Sequence, residues 1–189
     1  SRRMIIRRLP EDFIVHERLS EAFIDGMVQP AGPIPPDGRA VYRLRKTSLT
    51  TPEAVARLAK SLGVKPGPIT YAGLKDKHAV TEQFVSVPTR TATASPAPSA
   101  RSVERITTGG IDAELMGFTR DDLAAAVITA NQFDLVIREI QQAELVELDR
   151  RAEELSIAGV SPPTIAVVNY FGDQRFGSAR HGEGFASAH

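Results

Sequence analysis

The stretch "RAVYRLRK" (residues 39–46) alternates apolar and basic side chains with a period of two. A helix repeats every 3.6 residues and cannot gather such a pattern on one side, whereas a strand sends successive side chains to opposite faces. The segment predicts a half-buried strand with Arg39, Arg43 and Arg45 on one face. "FIVHERL" (13–19), "QFVSV" (83–87) and "FDLVIREI" (133–140) are short, apolar and rich in strand formers, and read the same way. "TTPEAVARLAKSLG" is different. Thr50 and Glu53 have the spacing of a capping box, and Pro52 suits a first helical turn. Val55, Leu58, Ala59 and Leu62 then share one helical face, and Gly63 ends the run.

A second amphipathic helix is expected in "AELVELDRRAEELSIAG" (143–159), with Leu145, Leu148, Ala152 and Leu155 inward. "IAVVNYFGDQRFG" (165–177) reads as a strand breaking into a glycine-punctuated turn. Strands outnumber helices, which makes the class α+β. "QPAGPIPPDG" (29–38) holds four prolines and is a loop. Residues 88–110, rich in Pro, Ser, Thr and Ala, offer little to bury and predict a flexible loop. "RDDLAAAVITA" (120–130) suits a helix by its alanines and an extended chain by its end.

Composition narrows the function classes. Cysteine is absent, which removes disulfides, thiol catalysis and Cys-based zinc sites and fits a reducing, cytoplasmic setting. No apolar run approaches the ~20 residues of a membrane span, so no membrane partner is expected. His16, His78, His181 and His189 are scattered without an i,i+4 pair, so no metal site is expected. Lysine plus arginine and aspartate plus glutamate number 23 each, so any polyanion would have to meet local clusters such as Arg39, Arg43, Arg45 and Lys46. Against that neutral background "YAGLKDKHAVTEQF" (71–84) sets Asp76 between Lys75 and Lys77. Such a run is a solvated turn, or it is a carboxylate oriented by a cation for chemistry beside a polyanion.

Separated stretches decide between these readings. "GLKDKHAVTEQ" (73–83) and "NYFGDQRFG" (169–177) resemble the two signatures of the TruD family of pseudouridine synthases. "NQFDLVIRE" (131–139) resembles its Asn-x-Phe strand and "LPEDFIVHE" (9–17) its opening strand. The resemblance implies a mixed, largely antiparallel sheet with flanking helices. It also implies an enzyme that turns a uridine of RNA, typically in the D-arm of tRNA, into pseudouridine without cofactor or metal. Asp76 takes the place of the family's indispensable aspartate, a nucleophile or base at the ribose. Phe133 matches its stacking phenylalanine, with Asn131 on the same side of the strand. Lys75 and Glu17 match a family lysine and glutamate, and His16 and Arg175 complete the expected RNA contacts.

The match has departures. His16 stands where the family usually has lysine. Asp121 and Asp122 stand where it usually has basic residues, and Ala126 and Ala130 where it has glycines. The same alignment makes "LAAAVIT" (123–129) a strand. Family members are about twice as long as this chain. Residues 1–177 are therefore expected to be the N-terminal part of the catalytic domain, and 178–189 a disordered tail that begins the family's inserted domain. Open sheet edges would favour self-association, and the alternative is an inactive relative that binds RNA or associates with itself.

Overall fold

In the computed structural model the described residues are 5–35, 37–89 and 104–155. Arg175, the element expected at 165–177 and the tail expected at 178–189 lie outside them. Nine strands are described in chain order: β1 (Ile5–Ile6), β2 (Phe13–Leu19), β3 (Arg39–Thr47), β4 (Thr70–Tyr71), β5 (Val80–Pro88), β6 (Arg105–Thr108), β7 (Ile111–Thr119), β8 (Ile128–Leu135) and β9 (Ile137–Arg138). Helices α1 (Glu21–Asp25), α2 (Thr51–Leu62) and α3 (Gln142–Leu155) complete the set. The chain divides into two units, Ser1–Glu139 and Ile140–His189.

The main sheet of the first unit runs β6-β7-β3-β5-β2-β8, with β4 also paired to β5. Only β2 and β5 are parallel; the other neighbours are antiparallel. The α+β class and the mixed, largely antiparallel sheet hold. Register sorts the side chains: Val15 pairs with Thr81, and Lys46 with Thr81. Phe13, Val15 and Glu17 therefore share a face with Ala40, Tyr42, Leu44 and Lys46.

Helix α2 covers part of that face. Its capping box forms between Thr50 and Glu53, and Gly63 closes it in the left-handed conformation at φ 68°. Val55, Leu58, Ala59 and Leu62 are all buried, packed with Tyr42, Leu44, Val85 and Leu115. Covering a helix of this length from water is the dominant favourable term here, at about 25 cal/mol per Å² of apolar surface. A smaller cluster of Leu19, Val41, Phe84 and Leu123 lies in the same sheet's other layer.

Three expectations need correction. "LAAAVIT" is not a strand throughout: Ala125–Val127 is a 3-10 turn and the strand starts at Ile128. The alanines lack the branched side chains that favour a pleated surface. Arg105–Thr108 is a strand within the stretch read as loop, paired with β7. Helix α3 forms, yet Leu145 and Ala152 are exposed among the described residues; amphipathicity names a face and not its partner.

Gly117 marks a β-bulge. The β3–β7 register shifts between Val41 and Tyr42, and Phe118 and Val28 exchange two backbone hydrogen bonds of 2.8 Å beside it. Gly117 has φ 155°, and a Cβ there would lie 2.5 Å from the Val28 carbonyl oxygen. Gly117→Ala is expected to destabilise the fold by on the order of 1–3 kcal/mol. Urea denaturation reads this directly, and an unchanged midpoint would refute the steric account.

Candidate active site

The site grows from the loop between β4 and β5, where "GLKDK" follows Ala72. The Asp76 carboxylate is partly exposed. Its Oδ1 accepts from the His78 backbone N–H at 3.0 Å, a local turn that orients the side chain. Its Oδ2 accepts from Arg7 Nη1 at 3.1 Å. Arg7 also lays its guanidinium 3.8 Å from the centroid of the Phe13 ring, a cation–π contact. Phe13 in turn stacks with Phe133, centroids 5.8 Å apart and planes within 8°. Phe133 remains 59% exposed. A carboxylate, a cation and an open aromatic platform are thus joined in one chain of contacts.

Beside them lies a buried ion pair. Glu17 is 1% exposed, and Lys75 Nζ stands 2.6 Å from its Oε1. Lys75 also donates to Asn131 Oδ1 at 2.8 Å. The other Glu17 oxygen accepts from the Phe84 backbone N–H at 2.9 Å. The parallel β2–β5 register ends at His16–Glu82, so the carboxylate takes over as acceptor where the ladder stops. Glu17 pairs with Asn131 across β2 and β8, which brings Asn131 to Lys75. A cavity of about 250 Å³ opens here, lined by Glu17, Lys75, Thr129, Ala130 and Asn131 among others.

Of the residues expected from sequence, Asp76, Lys75, Glu17, Asn131 and Phe133 lie on or beside this surface. His16 does not. Adjacent strand residues point to opposite faces, so His16 turns away from Glu17, with Nε2 3.0 Å from Asp134 and Nδ1 3.5 Å from Glu82. Arg175 is outside the described residues. Asp122 does not stand unpaired, since Arg39 meets it at 3.0 Å. Burial lowers the Arg39 pKa and the Asp122 charge partly offsets this. Among the described residues no group of histidines and carboxylates is arranged to hold a metal ion.

Sequence reasoning missed Arg7 and Lys46. Arg7 reaches Asp76 across 69 positions of sequence, which no local pattern announces. Lys46 is fully buried and donates to the carbonyls of Leu49 and Asp76, each at 2.7 Å. The strand alternation itself puts Lys46 with Tyr42 and Leu44, so the signal was present.

Arg7 has φ 62°, and the turn that follows it is braced by Asp12. Asp12 Oδ2 accepts from the backbone N–H groups of Arg8 and Leu9 at 3.0 Å each. Arg138 grips the same carboxylate with 2.7 Å and 2.9 Å bonds. The hydrogen bonds from Arg138 hold the Asp12 carboxyl down at about 2, well below its ordinary 3.8.

The profile of the tRNA pseudouridine synthase D (TruD) family matches residues 2–184. The chain is 32% identical over 146 residues to tRNA pseudouridine synthase D of Aquifex aeolicus, covering 77% of this chain and 35% of that protein. It is 33% identical over 174 residues to tRNA pseudouridine synthase D of Aliivibrio fischeri, covering 91% and 42%. A TruD crystal structure from Methanosarcina mazei superposes with a TM-score of 0.65 at 25% identity, covering 92% of this chain and 35% of that one. These curated relatives are named tRNA pseudouridine synthases. The chain belongs to the TruD family, and it spans roughly a third to two-fifths of the length of these relatives.

The Asp12 pair yields a pH prediction. A carboxyl with a depressed folded pKa contributes stability above its unfolded value and loses it as pH falls through the folded one. For Asp12 the window runs from 3.8 down to about 2. Asp12→Asn is expected to flatten the fall of the urea midpoint across this window relative to the unsubstituted chain. Parallel curves would show that the Arg138 grip does not set acid stability.

Proposed function

We propose that this chain carries the catalytic aspartate of a pseudouridine synthase acting on tRNA, with a D-arm uridine as target. One observation carries the reading: Asp76 is linked through Arg7 and Phe13 to the exposed ring of Phe133. A base inside a helix is out of reach, so the target nucleotide has to leave its stack first. Phe133 then offers a face on which the extruded uracil can stack, an interaction worth ~1–3 kcal/mol per base.

With the base on Phe133, Asp76 meets the ribose as nucleophile at C1′ or as base at the sugar. Both routes balance as an isomerisation. The C1′–N1 bond breaks, the uracil turns, a C1′–C5 bond forms, C5 gives up its proton and N1 gains one. Arg7 orients the Asp76 carboxylate by a charge-assisted hydrogen bond. Lys75 is largely committed to Glu17 and Asn131, so its part is to hold the edge of the cavity.

A second reading, self-association, has its own supporting observation. Among the described residues strand β8 is one of the two edges of the main sheet, and its residues from Thr129 to Leu135 are exposed. Such an edge is a template for another strand. Light scattering over a concentration series tests it, and a constant monomer mass would end it.

Pseudouridine formation on unmodified tRNA transcripts, read by carbodiimide-block sequencing, tests the main reading. The unsubstituted chain is expected to mark a uridine, and Asp76→Ala to mark none. Phe133→Ala is expected to lower the rate by ~5- to 150-fold, the equivalent of one lost stacking contact. Equal activity of Asp76→Ala and the unsubstituted chain would sink the assignment of Asp76.

A further inference from the structure

The loop at Ala72–Ala79 contains no helix or strand, so its backbone groups need partners from elsewhere. Three buried polar side chains supply them. Gln83 Nε2 donates to the Gly73 carbonyl at 3.4 Å. Thr51 Oγ1 accepts from the Lys75 N–H at 3.0 Å. Lys46 Nζ donates to the Asp76 carbonyl at 2.7 Å. None of the three is more than 1% exposed, and they come from β5, α2 and β3. The Thr51 hydroxyl also donates to Gln83 Oε1 at 2.8 Å, so two members are bonded to each other.

Burying three polar groups, one of them charged, is costly unless each is paired. A fold that needed only stability would place apolar side chains here, which often serve as well or better. What the three share is their target, a stretch of four residues ending at Asp76. Lys46 is the clearest case, because its nearest acceptors are both carbonyls and not carboxylates. Burial pushes its ammonium down to about 8, while Asp76 and Glu53 favour the charged form and Lys75 opposes it. Near neutral pH it therefore remains mostly charged and a strong donor.

We infer that Lys46, Thr51 and Gln83 are positioning residues that set the reach of Asp76 by fixing the backbone on both sides of it. This rests on the reading of Asp76 as the catalytic group. The Lys75 N–H and the Asp76 carbonyl flank the Asp76 Cα, so pinning both fixes the direction in which the carboxylate leaves the chain. A shift of about 1 Å in such a group can cost ~100-fold in rate.

Thr51→Val tests this, because it keeps the shape of the side chain and removes the hydroxyl. Two quantities are read. Backbone amide exchange at Lys75 is expected to rise at least ~10-fold, since the hydroxyl that accepts from it is lost, while exchange in β3 and in residues 55–62 stays unchanged. The kcat on tRNA transcripts is expected to fall ~10- to 100-fold with KM within ~2-fold. Thr51→Ser, which restores the hydroxyl, is expected to recover both. Unchanged exchange at Lys75 overturns the inference, and so does accelerated exchange with kcat intact. An unsubstituted chain that forms no pseudouridine counts against the catalytic reading, and the exchange result then decides by itself whether these side chains hold the loop. If Thr51→Val does not fold, Lys46→Met is read in the same way, with the His78 amide as reporter.

Discussion

Glu17 is a carboxylate removed from water in the middle of a sheet, and Lys75 is what makes that tolerable. Leaving a charge buried without its partner typically costs ~3–5 kcal/mol. The sheet and the loop that carries Asp76 are therefore bound to the same pair. Glu17 belongs to β2, receives the Phe84 N–H of β5 and faces Asn131 of β8. Lys75 cannot leave Glu17 without exposing all three strands to the cost. The residue next to Asp76 is held by the same interaction that closes the junction between the parallel and antiparallel parts of the sheet.

The rest of the charge distribution follows the same economy. Net charge is zero, and the described cations are largely matched by neighbours: Arg39 with Asp122, Arg43 with Glu114, Arg105 with Asp112 and Arg138 with Asp12. The first three lie along β3, β6 and β7 and the turn after β7, and the last ties β9 to the turn before β2. Of the arginines that look like a polyanion surface in the sequence, Arg39 and Arg43 are in the fold ion-paired, to Asp122 after β7 and to Glu114 of β7. A phosphate arriving there would have to compete with carboxylates already in place.

Much of the fold was legible. The period-two run at 39–46 is β3, "FIVHERL" is β2 to the residue, and the capping box and glycine stop frame α2. These are local signals with local causes. What failed was what depends on partners far away in sequence. The start of β8 is set by where β2 offers hydrogen bonds. The period of α3 names an apolar face and not what covers it, and Leu145 is exposed among the described residues. His16 and Glu17 are adjacent letters on opposite faces. For Lys46 the alternation is legible, since period two puts it on the face of Tyr42 and Leu44. The site divides likewise: the KD pair and the Asn-x-Phe strand carry their own motif, while Arg7 reaches Asp76 only through the closed sheet.

Arg7 and Phe13 stand six positions apart on one short stretch whose turn is fastened by Asp12. One touches the Asp76 carboxylate and the other supports the Phe133 ring. The spacing between them works as a ruler between the Asp76 carboxylate and the exposed ring of Phe133. An added or deleted residue between Arg8 and Phe13 would leave every side chain chemically intact and still bring the two out of step. In this stretch the count of residues is under as strict a constraint as their identity.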